Sequence, residues 1–298
     1  MIGIAVVLVL LAGPLLLGLT GLLRARRASA DNLVTSWNWK LTVSSALLYA
    51  LAFNLIFFIQ ELFLVLPKAL TPGLRPTLFH NDHRWEGDHP LATLFQGTGA
   101  LAIFLVGVVC ALLLRRGLVH SSTLRLFLIW TAYNGFFQSL PQVVIGAVNP
   151  RNDVGMAMDY LRLGASAKTA AALVALAAIP PIALGLTRPL LSLAADPAQI
   201  SSARARIHFI FRVATLPALF AILLIIPFRI PREFVEVVML PVVATVIGIA
   251  WIQSGAWRIS AVKVGGGSAV GSIARQLGAV LLLLFVFQVL LRPGVSFF

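Results

Sequence analysis

Residues 54–89 read NLIFFIQELFLVLPKALTPGLRPTLFHNDHRWEGDH, and they continue an apolar run that begins at Leu41. A helix needs about 20 apolar residues to cross the hydrocarbon core of a bilayer, and the run from Leu41 to Leu66 meets that length before Pro67. One carboxylate, Glu61, lies inside it. A charge at membrane depth costs about 2.5–3.5 kcal/mol to insert, which makes Glu61 a candidate for function. The loop that follows, 68–91, carries His80, His83 and His89, three of the five histidines, interleaved with Asp82, Glu86 and Asp88. Carboxylates and imidazoles this close suit a metal site or proton handling.

The rest of the chain repeats the apolar theme. Similar runs occupy about 2–23, 92–114, 124–148, 169–186, 207–228, 234–257 and 276–291. The 298 residues are 59% hydrophobic and 11% charged, against roughly 25% charged in soluble domains. The reading is an all-α, polytopic transmembrane bundle of about eight helices, one integral domain over 1–298. The first run is a retained helix rather than a cleaved leader, because Arg24, Arg26 and Arg27 follow its apolar core instead of preceding it. Pro141, Pro217 and the pair Pro180-Pro181 are expected to interrupt their helices. The single cysteine, Cys110, excludes an intrachain disulfide.

The net charge is +13, and its distribution decides its meaning. With eight crossings, 14 of the 23 Lys and Arg residues fall on one face, among them Arg24, Arg115, Arg116, Arg125, Arg188, Arg204 and Arg275. Only Asp31 and Asp196 of the ten acidic residues join them. The positive-inside rule makes that face cytoplasmic and puts both termini outside. A multi-pass protein of a bacterial-type inner membrane follows, with the lipid bilayer as its partner. Nucleic acid is excluded as a partner, because no basic and aromatic groove accompanies the charge.

The polar residues inside the runs share faces. Asn54 and Glu61 are seven apart, with Gln60 beside them; Asn134, Gln138 and Gln142 stand at four-residue spacing. Asp153 and Asp159 follow at the same end as the histidine loop. A composite outer site of Glu61, the histidines and an aspartate is therefore expected. The plain alternative is structural: amides hold membrane helices together at about 0.6 kcal/mol per bond, and Glu61 is protonated or paired with Lys68. The loop likewise supports three readings: metal ligation, a rigid hydrogen-bonded cap, or a docking surface for a protein partner. His120 and His208 lie near helix ends on the basic face, where they cap helices or meet headgroups. Gly97 and Gly99 are small residues that admit a neighbouring backbone, and Gly265-Gly-Gly267 is a flexible link; neither has the context of a phosphate loop.

The order of these stretches resembles the site-2-protease class of intramembrane zinc metalloproteases. The resemblance spans about residues 50–165 and rests on Gln60-Glu61-Leu62-Phe63-Leu64 in place of HExxH, Gly97-Thr-Gly99-Ala100 opening a later helix, and Asp153-Val-Gly155 in the third-ligand stretch. It implies zinc as cofactor, Glu61 as general base, and Asp153 as a ligand. Gln60 and Leu64 stand where two zinc histidines belong, so it implies either an inactive core or a site remade with His80 or His83. The charge bias puts this end outside, whereas those proteases cut near the cytosolic face. A proton- or cation-coupled carrier using Glu61 and a non-catalytic assembly subunit are the two rival classes.

Overall fold

The computed structural model describes residues 1–27, 37–259, 262 and 270–298. The link at Gly265–Gly267, and the charges Asp31 and Lys263, lie outside the described residues. Among the described residues, seven helices are long and apolar enough to span a membrane: α1 (Ile2–Ala25), α2 (Trp39–Ala69), α3 (Leu91–Arg115), α6 (Ala165–Leu191), α7 (Ala203–Arg229), α8 (Val235–Arg258) and α9 (Ile273–Leu291). The chain is an all-α, multi-pass membrane bundle.

The remaining long helix is α4 (Ser122–Val148), with 27 residues. Its amides at 134, 138 and 142 lower its apolarity, and its place in the bundle explains why that is tolerated. It packs against α2, α3, α6 and α8, and Leu126, Ile129, Trp130, Tyr133, Asn134 and Phe137 are wholly buried. A helix that touches protein on most sides does not have to be apolar toward lipid. Its close neighbours come from small residues. A Cβ on Gly135 would sit 2.6 Å from the Ile103 carbonyl oxygen and 2.8 Å from the Gly107 Cα, so α3 and α4 meet backbone to backbone. Between helices in lipid, packing and hydrogen bonds replace the hydrophobic drive: Trp130 Nε1–H donates to Ser45 Oγ at 3.0 Å, and the Tyr49 and Thr245 hydroxyls are 2.8 Å apart.

The proline expectations need correction. α6 runs unbroken through Pro180, Pro181 and Pro189, and α4 through Pro141. Pro217 falls in the first turn of its α-helical stretch, where a missing N–H costs least. α2 also continues through Pro67 to Ala69.

Two segments read as links hold structure. Residues 149–168 contain α5 (Asp153–Tyr160), capped by Asn152, whose Oδ1 accepts from the Val154 N–H at 3.2 Å. The loop 68–91 folds into a hairpin of β1 (Arg75–Leu78) and β2 (His83–Glu86), and β3 (Val295–Ser296) adds to β1 in the order β2-β1-β3. Because β1 follows α2 and β3 follows α9, and the two strands pair, the C-terminal ends of those helices lie together.

Candidate functional site

Glu61 is 6% exposed, although it sits among Phe57, Phe58, Leu62 and Phe63. A buried carboxylate must find donors, and the hairpin supplies one. Side chains alternate along a strand, and the register pairs Leu78 with His83 and Pro76 with Trp85. These four form the inward face; Arg84 and Glu86 face out. His83 Nδ1 lies 2.9 Å from Glu61 Oε2, and its Nε2 lies 3.0 Å from Gln96 Oε1. Both partners are acceptors. A neutral imidazole has one N–H and an imidazolium has two, so this geometry is satisfied by the charged ring donating to both. Burial works against that charge, but the hydrogen bond from the ring to Glu61 and the Glu61 charge outweigh it, and the His83 pKa is raised.

Further charges surround the pair. Lys68 is wholly buried; its ammonium donates to the Leu64 carbonyl at 2.7 Å and lies 4.7 Å from the centre of the Trp85 ring. The Trp85 ring in turn stacks on His83 at 5.9 Å. So Lys68 does not pair directly with Glu61. Asp153, at the start of α5, acts through space: burial first, then the Glu61 charge, pushes its carboxyl up to about 6. On another side, the buried Arg229 guanidinium rests 4.1 Å from the centre of the Phe57 ring.

The three histidines go to three different places. His80 occupies the hairpin turn and is buried toward the end of α7, among Arg229, Arg232 and Arg292; it lies by the Ile230 backbone without a well-formed hydrogen bond, and burial together with those cations lowers its pKa. His89 caps α3, its Nδ1 accepting from the Leu91 N–H at 3.2 Å. Asp159 is likewise elsewhere, paired with Lys168.

The amides join α2 to α4. Gln142 Nε2 donates to Gln60 Oε1 at 2.7 Å, and Gln138 donates to the Phe53 carbonyl at 3.2 Å and to Asn134 Oδ1 at 3.3 Å. Asn54 and Asn134 donate to carbonyls one turn back in their own helices. Asn54 Oδ1 and Gln138 Oε1 are buried acceptors with no donor among the described residues.

The residues do not fit zinc. A zinc site gathers three or four ligands around one point, and no group of three His, Cys, Asp or Glu among the described residues does so. The expected set His80, His83 and Asp153 is not assembled: His80 is turned away among arginines, and both His83 nitrogens are engaged. Gln96 and Arg229 were not singled out by sequence. Arg229 did leave a signal, as a cation closing the apolar run of α7.

Family models, curated proteins and solved structures contain no match to this chain.

Proposed function

We propose that this chain is a non-catalytic membrane subunit built on a core similar to that of site-2 proteases, with an ion pair where the family holds its metal. The carrying observation is the chain Glu61–His83–Gln96, in which a cationic ring occupies the carboxylate that a hydrolase would keep free for water. The surrounding packing supports the kinship. A Cβ on Gly99 would meet the Gln60 carbonyl oxygen at 2.8 Å, and one on Gly97 would meet the Ala157 Cβ at 2.8 Å. The three stretches that carry the resemblance thus abut one another around Glu61. In this reading the protein lies in an inner membrane with both termini and the hairpin outside. The hairpin, with exposed Arg84, Glu86 and Asp88, receives a protein partner.

Metal analysis of the purified protein tests this. The expected result is no stoichiometric zinc, with Glu61→Gln abolishing the cellular phenotype although the protein inserts normally. One zinc per chain that disappears in His83→Ala would overturn it. A reporter after Arg116 should read cytoplasmic and one in loop 68–91 external.

A second reading has one observation in its favour. The amide column, whose acceptors Asn54 Oδ1 and Gln138 Oε1 have no donor among the described residues, leads from the Glu61 end into the bundle, as a proton or cation path would. Glu61-dependent proton uptake into proteoliposomes would replace the subunit reading with a carrier.

A further inference from the structure

At the end of the bundle opposite Glu61, a cleft of about 1090 Å³ opens between α3 and α6. That is just above the ~300–1,000 Å³ range of small-molecule pockets. Both helices pack on α4 and little on each other, so α4 forms the floor and they form the walls. The deep part is apolar, lined by Phe136, Pro181 and Ile182. The mouth carries Arg115, Arg125 and Arg188, and no carboxylate lines the cleft among the described residues. Arg125 is held in place by its hydrogen bond to Ser192 Oγ at 2.6 Å. From Arg125 to Phe136 is eleven residues, or about 16 Å along the helix. The cleft therefore reaches roughly half-way across a ~30 Å hydrocarbon core, the depth of one leaflet.

Guanidinium groups at headgroup level above an apolar groove of leaflet depth match one chemistry. We infer that the cleft binds one anionic phospholipid, its phosphate at Arg115, Arg125 and Arg188 and an acyl chain on α4 between α3 and α6. Guanidinium forks match phosphate oxygens, and basic pockets between membrane helices suit anionic headgroups. Charge complementarity selects this occupant over a zwitterionic lipid, and the long apolar floor selects it over a free anion. The inference is independent of the role of Glu61.

The test is native mass spectrometry of the full chain from nanodiscs holding equal dioleoyl phosphatidylglycerol and dioleoyl phosphatidylcholine. One phosphatidylglycerol should be retained in preference to phosphatidylcholine. Arg115→Gln combined with Arg125→Gln should reduce that preference roughly 25-fold, about fivefold per arginine. Gly185→Leu tests the chain separately. A Cβ at Gly185 meets nothing within 4 Å, so leucine enters the cleft without strain, keeps every arginine, and should also expel the lipid. Arg116→Gln, on the same face but not lining the cleft, should leave retention unchanged. Equal retention of the two lipids, equal loss in Arg116→Gln, or thermal stabilisation by inorganic phosphate alone matching that by phosphatidylglycerol would each overturn the proposal. So would full retention in Gly185→Leu.

Discussion

The two ends of the bundle treat charge in opposite ways. At the hairpin end, Glu61, His83, Lys68, Asp153 and Arg229 mix both signs within a buried corner, closed by a three-stranded sheet. At the other end, Arg115, Arg125 and Arg188 stand at the mouth of a cleft that no carboxylate lines among the described residues. The first end sets charges of both signs against one another and depends on them for its shape. The second gathers guanidinium groups, to which the proposed lipid brings the complementary charge. Charge removal should therefore act on folding at one end and on binding at the other.

The largest effect is expected from His83→Ala. It leaves Glu61 buried without its donor, and breaking a buried pair costs about 3–5 kcal/mol. Thermal unfolding of the purified protein, followed by circular dichroism, should show a clear fall in midpoint. A midpoint within experimental error of the parent would mean the closed end is not held by this pair.

Next comes Gly99→Val, which adds atoms where a Cβ alone would lie 2.8 Å from the Gln60 backbone oxygen. Overpacking of this kind costs typically about 1–3 kcal/mol. It should separate α3 from α2 and break the His83–Gln96 link, whose loss would appear as a downward shift of the His83 pKa by NMR. An unshifted His83 would show that the hairpin, not α3, positions the ring.

The pH dependence sharpens the same contrast. The Asp153 pKa is raised from 3.8 to about 6, and that of His83 is raised from 6.5. A group with a raised folded-state pKa contributes most below its unfolded value and loses that contribution as pH climbs through the folded value. Stability should therefore fall between about pH 4 and 6 as Asp153 ionises, and fall again above 6.5 as His83 loses its proton. Asp153→Asn should remove the lower step and leave the upper one. A curve that rises across this range would contradict the assignment of both groups.

The smallest effect is expected from Arg125→Gln in uncharged detergent. With no carboxylate lining the cleft among the described residues, the change should lie within about 0.5 kcal/mol, as for ordinary surface positions. A loss as large as that of His83→Ala would erase the difference between the two ends.

How far the site was legible follows the same line. Periodicity alone put Asn54, Gln60 and Glu61 near one another and Asn134, Gln138 and Gln142 on one stripe, and chain parity put both sets at one end. Which histidine meets Glu61 was not legible, because His80 and His83 are three residues apart in a loop with no helical or strand pattern strong enough to orient them. The hairpin register decides it: His83 pairs with the buried Leu78 and faces α2, while His80 falls in the turn and faces α7. Gln96 and Arg229 reach the corner from α3 and α7, far along the chain. Lys68 is one turn of α2 beyond Leu64, yet its second partner, the Trp85 ring, is set by the sheet.

What the amino-acid order determined by itself is what local energetics dictates. Runs of about 20 apolar residues become spanning helices because unpaired backbone groups are too costly in lipid, and the uneven charges of the links separate an end with most of the carboxylates and three histidines from a strongly basic one. Tertiary structure decided the rest. It made α4 the shielded centre, so that its amides and Pro141 are tolerated there, and it kept α6 continuous through Pro180 and Pro181. It gave His83 rather than His80 to Glu61, and it left α3 and α6 apart over α4. Partner choice and empty space depend on distances between segments remote in sequence, and no local rule of spacing sets those distances.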